Sequence, residues 1–316
     1  MSLLTILIIF FGYAQGLLFA PYKDITTSMN WNDYTISTSI MGKNTPLLDI
    51  IPSNTDYVIW AFATGECGKE TWAGVSPIQL SNNIKSWSKR KPYVISTGGA
   101  NGIFSCKNSD EFKKFISNYF SSNMVGIDFD IEQDQSTEII DNLIKCIVDV
   151  QADYPILHFS FTIATLGGDQ PDSLNTIGSY VVKKILTAGI KKYSINLMTM
   201  DYGVVSSNIC TLKKDINICD MEKSSIQAAK NLNAFYGVPF YNIDITIMIG
   251  QNDIIDEFTS LSDWENIILW SSQNNIRAVH FWSIDRDQGL IYTKKYQEHN
   301  KSPGFYKCSK CIKVEL

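Results

Sequence analysis

The residues best suited to chemistry in this sequence are three acids that alternate with apolar residues: Asp128, Asp130 and Glu132. Side chains on a β-strand alternate between its two faces, so the three carboxylates would share one face and the apolar residues the other. Burying unpaired charges is costly, so such a row does not serve stability. Neighbouring carboxylates raise the pKa of at least one of them, which keeps a proton available at neutral pH. The row therefore indicates general-acid chemistry, because a solvated edge strand with acidic decoration would not carry apolar residues between the acids.

Eight short apolar segments, many of them rich in β-branched residues, predict the strands that must position this row. They are Leu18–Asp24, Tyr57–Thr64, Tyr93–Thr97, Val125–Ile131, Leu157–Ala164, Ser194–Met200, Ile243–Ile249 and Arg277–Ile284. Helical spacing and helix-start residues predict helices between them, over Asp110–Tyr119, Ser136–Val150, Ser173–Ala188, Glu222–Tyr236 and Ser260–Asn274. The stretches before the second and third strands are weaker as helices.

The alternation of strands and helices predicts parallel pairing and right-handed connections. Eight such units in roughly 270 residues fit a single (β/α)8 TIM barrel of the α/β class. A doubly wound sheet would need a phosphate loop, and the sequence that follows Gly98 and Gly99 is not a dinucleotide fingerprint. In a barrel the chemistry belongs at the C-terminal ends of the strands, where these glycines, Glu132, Asp201 and Trp282 collect.

Composition and charge exclude several classes of function. The chain has 316 residues, with 27 Lys and Arg against 32 Asp and Glu and a net charge of −5. It carries no long basic run, so no nucleic-acid partner is expected. The three histidines, His158, His280 and His299, lie far apart, which argues against a His-rich metal site. No motif supports a Ser-His-Asp arrangement, and we expect neither a metal nor a cofactor.

The N-terminal segment predicts export. The apolar run Leu3–Phe11 has about the length of a signal-peptide core and is shorter than the roughly 20 residues of a membrane-spanning helix. Ala14 and Gly16 are small residues at the positions that a cleavage site needs, although no Lys or Arg precedes the run. We therefore predict a signal peptide over residues 1–16, with a buried first strand or helix as the alternative. No other stretch approaches spanning length, so no membrane partner is expected.

Seven cysteines fit an exported chain. Cys67 and Cys106 each follow a strand-like segment, where loops could bring them together, and Cys210 and Cys219 flank a polar loop. Cys146 lies in a helical pattern and is the natural odd thiol. A zinc site at the C-terminal pair, Cys308 and Cys311, would need a second pair at suitable spacing, and none is present.

The acidic row resembles the motif of glycoside hydrolase family 18, DGxDxDxE, except that Val125 replaces the outermost Asp. The second family motif, SxGG, is present as Ser96-Thr97-Gly98-Gly99. Similar words follow in the same order along nearly the whole chain, and they are closest to those of the bacterial-type chitinase D-like subgroup. The words are Phe19 to Tyr22, Gly98 to Gly102, Asp128 to Glu132, Met198 to Gly203, Met248 to Asp253 and Phe281 to Asp287.

The resemblance implies a substrate-assisted mechanism, in which no enzyme side chain becomes the nucleophile. Glu132 would protonate the glycosidic oxygen while the acetamido carbonyl of the sugar in the −1 subsite attacks C1. Asp130 would orient the acetamido N–H and stabilise the oxazolinium ion, and Asp128 would tune the charge of Asp130. Glu132 would then act as the base for water, so that the anomeric configuration is retained.

The same resemblance implies further site residues. Asp201 matches the family Asp after the sixth strand, and Met198 matches the Met below the sugar. Met200 occupies the family Tyr position, so Tyr202 is expected to reach the acetamido group instead. Trp282 matches the floor of the −1 subsite. These assignments have plain alternatives, since the methionines and Trp282 could simply pack the barrel.

Three more residues complete the predicted site. Gly98 and Gly99 of the SxGG motif are expected to contact substrate. Trp72, in the loop after the second strand, is a candidate platform for a neighbouring sugar, and its alternative is an ordinary loop anchor near Cys67. His280 shares the strand face of Trp282, but we expect a satisfied barrel histidine there. The segment Asp285 to Asp287 is expected to form a structural ion pair.

The sequence therefore predicts a secreted chitinase that hydrolyses β-1,4-linked N-acetylglucosamine in chitin or its oligosaccharides. The alternatives are an endo-β-N-acetylglucosaminidase acting on N-glycans or peptidoglycan, and a chitinase-like lectin without hydrolysis. We expect a catalytic domain over residues 17–300, a short tail over 301–316 and a monomer. The tail is too small for a separate chitin-binding module, so the barrel loops must hold the substrate.

Overall fold

Eight parallel strands close into a barrel in a computed structural model that describes residues 16–132 and 135–299. The strands are β1 (Leu18–Asp24), β2 (Val58–Ala63), β3 (Tyr93–Gly98), β4 (Met124–Ile131), β5 (His158–Ala164), β6 (Tyr193–Met198), β7 (Ile243–Met248) and β8 (Ala278–Trp282). Neighbours in sequence are neighbours in the wall, and β1 pairs with both β2 and β8 to close it. The predicted (β/α)8 barrel is confirmed, with each strand within two residues of its predicted limits.

A helix follows each strand, as a parallel barrel requires. The helices are α1 (Leu47–Ile50), α2 (Ser81–Trp87), α3 (Ser109–Tyr119), α4 (Thr137–Val150), α5 (Thr176–Ala188), α6 (Met221–Tyr236), α7 (Leu261–Gln273) and α8 (Ile291–His299). The two helices that the sequence supports weakly, α1 and α2, are also short. Side-chain caps fix the starts of the longer ones, such as the capping box of Ser260 and Asp263 on α7.

The strands are buried on both faces, which is why they read as continuous apolar runs. The outer face packs on the helices: Phe129 of β4 lies 6.2 Å from Phe112 of α3 and 5.4 Å from Phe161 of β5, between ring centroids. The inner face of β4 carries Asp128 and Asp130, both buried. The strand is therefore an interior wall of the barrel, and the alternative of a solvated edge strand is wrong.

Two disulfides tie loops at the C-terminal end of the barrel. Cys67–Cys106 joins the loops after β2 and β3, beside a short parallel pairing of Gly65–Glu66 with Phe104–Ser105. Cys210–Cys219 closes the loop after β6. Cys146 on α4 is buried and unpaired, as predicted for the odd thiol.

Some predictions fall on residues that the structure does not describe. Residues 1–15 of the predicted signal peptide lie outside the described residues, as do Cys308, Cys311 and the tail. Among the helices that are described, none combines the length and apolar character of a membrane span. Within residues 16–132 and 135–299, no group of three or more His, Cys, Asp or Glu side chains is arranged to hold a metal ion.

Candidate active site

A cleft of about 880 Å³ opens at the C-terminal end of the barrel, where strand-end side chains converge. Five carboxylates line it, and three of them are predicted site residues: Asp130 on β4, Glu132 directly after β4, and Asp201 after β6. The other two are Asp24 and Asp253. Aromatic rings and methionines on or just after other strands form much of the remaining wall, namely Tyr22, Phe62, Met198, Met200, Met248 and Trp282. The cleft thus combines acids with apolar faces, as a sugar-binding site requires.

Asp128 lies at the base of the acidic row and is saturated with hydrogen bonds. Four hydroxyls donate to its carboxylate, from Tyr22 (3.0 Å), Ser96 (2.6 Å), Ser160 (2.6 Å) and Thr162 (2.8 Å). Burial raises the pKa of Asp128, and these hydroxyls oppose that rise. The side chain is therefore held rigidly behind the next acid, with no lone pair aimed into the cleft.

Asp130 is buried under very different conditions. Its Oδ1 atom has no hydrogen-bond partner among the described residues, although the residue lines the cleft. Burial, the charge of Glu132 and the charge of Asp128 raise its pKa well above the usual range. An unpaired buried oxygen of this kind is costly unless a ligand supplies a donor, so Asp130 is suited to accept an N–H from a bound molecule.

Gly98 is required by the backbone of Asp130. A side chain at residue 98 would place its Cβ 2.1 Å from the Asp130 carbonyl oxygen, and the φ of Gly98, +86°, favours glycine. Gly98 lines the cleft as predicted, but Gly99 does not. The Cβ of a residue at 99 would meet the Phe62 ring at 2.8 Å. Gly99 leaves room for that ring, and its predicted substrate contact stays a prediction.

Glu132 stands at the mouth of the barrel and is half-buried. Its burial, together with the negative charge of Asp201, raises its pKa above that of an ordinary glutamate. Because Asp130 and Glu132 titrate together, the pair holds its last proton to a higher pH than either acid would alone. Glu132 can therefore donate a proton to a group in the cleft.

Asp201 follows β6 and lines the cleft. Its backbone lies in the left-handed region, with φ of +50°. Its Oδ1 accepts hydrogen bonds from the backbone N–H groups of Asp253 (2.8 Å) and Ile254 (3.1 Å) in the loop after β7. Burial raises the pKa of Asp201, and these N–H groups oppose that rise. The structure places it beside the acidic row, where the sequence predicts it.

Aromatic rings form the floor of the cleft. Trp282 at the end of β8 is partly exposed and stacks on Phe62, with ring centroids 5.4 Å apart and an interplanar angle of 19°. Tyr22 lies 6.1 Å from Trp282 and closes the inner wall. Met198 lines the cleft from β6, as predicted.

Sequence reasoning missed Tyr22 and Phe62 as site residues. Tyr22 had a usable signal, because it shares a strand face with Ala20, which lies inside the barrel. Phe62 had none, since the pairing of β2 with β3 shifts register between Trp60 and Ala63. That irregularity turns the ring into the cleft, where strict alternation would have placed it with the outward-facing Trp60.

Two of the predicted binding residues do not present the expected groups to the cleft. Trp72 is completely buried, and its Nε1 donates to the Tyr119 hydroxyl at 2.9 Å. It is the loop anchor near Cys67, so the predicted sugar platform is wrong. Tyr202 contributes to the cleft wall, but its hydroxyl is buried and the hydroxyls of Thr199 and Ser225 are its polar neighbours. The predicted contact of Tyr202 with an acetamido group therefore stays a prediction.

The residues around the site confirm two of the structural alternatives. His280 is buried with its Nδ1 3.0 Å from the Ala20 carbonyl, so it is a satisfied barrel histidine. Asp285 forms an ion pair, but with Lys23 of β1 at 2.7 Å and not with Arg286. Asp287 instead accepts the backbone N–H groups of Tyr292 and Thr293 at the start of α8.

Comparison with known proteins gives relatives of one kind. The chain is 28% identical over 301 residues to a probable bifunctional chitinase/lysozyme of Escherichia coli, across 85% of this chain and 31% of that protein. It is 26% identical over 221 residues to endochitinase 11 of Metarhizium anisopliae, across 61% of this chain and 40% of that one. The chain thus spans less than half the length of these curated relatives. No family model matches it.

Solved structures share the fold. The catalytic domain of a hyperthermophilic chitinase from Pyrococcus furiosus superposes with a TM-score of 0.69 and 22% identity, over 92% of this chain and 96% of that one. Catalytic-site mutants of active domain 2 of a thermostable chitinase from the same organism, complexed with chito-oligosaccharides, give a TM-score of 0.67 and 21% identity, over 91% and 97%.

Proposed function

Because this chain is a relative of the family 18 chitinases, we propose that it hydrolyses β-1,4 linkages between N-acetylglucosamine residues in chitin or its oligosaccharides. One observation carries the proposal: Asp130, whose buried Oδ1 has no hydrogen-bond partner among the described residues, lines the cleft together with Glu132, and Asp128 is fixed on the same strand. A substrate acetamido N–H is the donor that this oxygen lacks. Its neighbour Glu132 is the acid that a leaving sugar needs.

The first half of the reaction uses the substrate's own acetamido group. Glu132 transfers its proton to the glycosidic oxygen as the C1–O bond breaks. The acetamido carbonyl oxygen attacks C1 and forms a cyclic oxazolinium ion, so no enzyme carboxylate becomes the nucleophile. Asp130 accepts the acetamido N–H, and its charge stabilises the cation. Asp128, whose carboxylate four hydroxyls hold in place, acts on Asp130 through its charge, which raises the pKa of Asp130.

The second half returns the proton. Glu132, now ionised, removes a proton from water as the water attacks C1 and opens the oxazolinium ring. Two inversions at C1 give retention of the anomeric configuration. The Trp282 face, extended by Phe62 and bordered by Met198, supplies the apolar floor against which the pyranose and the acetamido methyl pack.

We further propose that the protein works outside the cytosol. Its two disulfides, Cys67–Cys106 and Cys210–Cys219, support an oxidising compartment, since such bonds are rare in reducing ones. Secretion of the protein agrees with the predicted signal peptide and with a polymeric substrate that lies outside the cell. The test is the N-terminal sequence of protein recovered from culture medium, which is expected to begin near Leu17.

The decisive experiment compares a chitin pentamer with the fully de-N-acetylated glucosamine pentamer. The wild-type protein is expected to hydrolyse only the acetylated oligomer, with the β-anomer as the first product in the NMR spectrum. Glu132→Gln is expected to lose roughly 10²–10⁴-fold in rate, the usual contribution of a general acid. Glu265→Gln, which changes a carboxylate on α7 that binds Lys295 and His299, is the matched control with unchanged rate.

Other outcomes would point elsewhere. Hydrolysis of the de-N-acetylated oligomer would contradict the substrate-assisted step. Binding of chitin oligomers without hydrolysis would identify a lectin, and release of glycans from a high-mannose glycoprotein would identify an endo-β-N-acetylglucosaminidase. The name of the Escherichia coli relative includes lysozyme, so peptidoglycan belongs in the same substrate panel.

A further inference from the structure

Two loops at the C-terminal end of the barrel exchange carboxylate hydrogen bonds with each other's backbone. Asp201, in the loop after β6, accepts the N–H groups of residues 253 and 254 in the loop after β7. Glu257, in that second loop, accepts the N–H groups of Tyr202 (3.1 Å) and Gly203 (3.0 Å), one on each carboxylate oxygen. We call this reciprocal set the carboxylate brace of Asp201 and Glu257.

Burying the Glu257 carboxylate at this position is energetically unfavourable. The residue is fully buried, and among the described residues no Lys, Arg or His forms an ion pair with it. The charged group that acts on it is Asp201, also an acid, and both burial and that charge raise the pKa of Glu257. A buried acid whose charged neighbour is another acid lowers stability unless its hydrogen bonds compensate. Its presence therefore indicates a role in shaping the site.

The segment that Glu257 binds has an unusual backbone. Asp201 has a φ of +50° and Gly203 a φ of +88°. A non-glycine residue keeps a left-handed conformation only where its surroundings hold it there. Glu257 binds the two N–H groups that directly follow Asp201. Together with the hydrogen bonds that Asp201 itself accepts, it holds this conformation.

We propose that Glu257 is a positioning residue for the proposed hydrolysis, which holds the loop after β6 so that the Asp201 carboxylate stays beside Glu132. The inference rests on the proposed function, because it assigns a task to the same site. Glu257 lines no part of the cleft, so it acts through Asp201 and not on the substrate.

The brace has a consequence for the pH dependence of the reaction. The charged groups around Asp201 are Glu132, Asp253, Glu257 and Arg286, and those around Glu132 are Asp130 and Asp201. Burial and the charge of Asp201 raise the pKa of Glu132. If Asp201 moves away, the pKa of Glu132 falls, and the protonated form is lost at a lower pH. The alkaline limb of the kcat profile must then move to lower pH.

The test compares Glu257→Gln, Asp201→Asn and the double variant on a chitin pentamer, with Glu265→Gln as the matched surface control. An amide has one acceptor oxygen, so Glu257→Gln leaves one of the two N–H groups without its partner. We expect kcat to fall roughly 10- to 100-fold, the range for a displaced catalytic group, with KM nearly unchanged. The alkaline limb should move in the same direction as in Asp201→Asn. The double variant should match Asp201→Asn, since both changes act on one group.

An alkaline limb that stays at its wild-type pH in Glu257→Gln, or effects that multiply in the double variant, would overturn the proposal. If Glu257→Gln does not fold, Glu257→Asp keeps the charge and shortens the side chain, and the same shift is expected from it. Amide hydrogen exchange measures how firmly the brace holds its N–H groups, and it does not require substrate turnover. Exchange at residues 202, 203, 253 and 254 should accelerate in Glu257→Gln and not in Glu265→Gln. Unchanged exchange in Glu257→Gln would rule out the brace. If exchange accelerates in Glu257→Gln but the wild-type protein does not hydrolyse the pentamer, only the proposed function is contradicted.

Discussion

The two ends of the barrel both bury a carboxylate, but in opposite company. At the N-terminal end, Asp244 of β7 accepts Arg277 Nε at 2.7 Å and the Ser194 hydroxyl at 2.6 Å, with His280 Nε2 3.8 Å away. At the C-terminal end, Asp130 of β4 has an oxygen without a partner within the described structure and two acids for neighbours. The charge of Asp244 is balanced within the protein by Arg277, whereas Asp130 lacks a hydrogen-bond donor that a bound ligand could supply.

The pKa values of the two acids diverge accordingly. Burial alone would raise both, and it does raise that of Asp130, with Glu132 and Asp128 adding to the rise. For Asp244, burial acts against the charge of Arg277 and the hydrogen bonds from Arg277 and His280, and these together bring the pKa well below its usual range. Burial therefore does not separate a structural acid from a functional one, whereas the sign of its neighbours does.

The largest expected effect is on stability, at the compensated end. Asp244→Asn leaves Arg277 buried beside a neutral amide, and removing one partner of a buried ion pair costs about 3–5 kcal/mol. We expect the free energy of unfolding in urea to fall by that amount, while kcat of the folded protein stays the same. Asp49→Asn is the matched control, since Asp49 pairs with Arg90 on the surface and such pairs contribute about 0–1 kcal/mol.

The next effect is on activity, at the uncompensated end. Asp130→Asn removes the charge that faces the oxazolinium ion in the proposed mechanism, and loss of one such electrostatic group lowers kcat by roughly 10²–10³-fold. The free energy of unfolding should stay the same or rise, because a buried acid without a cation is gone. Urea unfolding and pentamer hydrolysis on the same samples check both statements. A loss of stability like that of Asp244→Asn would erase the distinction between the two ends.

The pH dependence of stability should differ in sign between the two variants. The lowered pKa of Asp244 gives stability that is present above the unfolded value of about 4 and is lost as the pH falls toward the folded pKa. The raised pKa of the Asp130 site works the other way: the folded state holds its proton longer, so stability is lost as the pH rises from about 4 through the folded pKa. In thermal melts over a pH series, Asp244→Asn should therefore approach wild type at low pH. Asp130→Asn should gain on wild type as the pH rises, and parallel curves would contradict the assignment.

The sequence predicts well whatever depends on strand periodicity. The alternation of acids with Ile127, Phe129 and Ile131 placed the carboxylates inside the barrel, because a period of two admits only that arrangement once both faces are buried. The order of apolar segments gave the barrel itself, since parallel strands need crossover helices. The caps of α4 and α7, at Ser136 and Ser260, were also readable.

What the sequence could not predict depends on loops and on departures from that period. Phe62 enters the cleft because the strand register is irregular there, and no pattern of residue types in the sequence indicates that irregularity. In the sequence nothing distinguishes Glu257 from the other acids of its loop. Only the structure shows that it accepts the backbone N–H of Gly203. Trp72 failed for a related reason: an aromatic residue in a loop can face substrate or anchor the loop, and only its contact with Tyr119 decides.

The smallest expected effects distinguish Trp72, which anchors a loop, from Trp282, which lines the cleft. Trp72→Phe removes the hydrogen bond from Nε1 to the Tyr119 hydroxyl, and an intramolecular hydrogen bond contributes about 0.5–1.5 kcal/mol. We therefore expect a small loss of stability and an unchanged KM for the chitin pentamer. Trp282→Phe keeps a ring on the cleft floor but reduces its area, and because a ring contact is worth about 0.5–1.5 kcal/mol, KM should rise a few-fold with stability nearly unchanged. A higher KM in Trp72→Phe at wild-type stability would restore the sugar platform that its burial argues against.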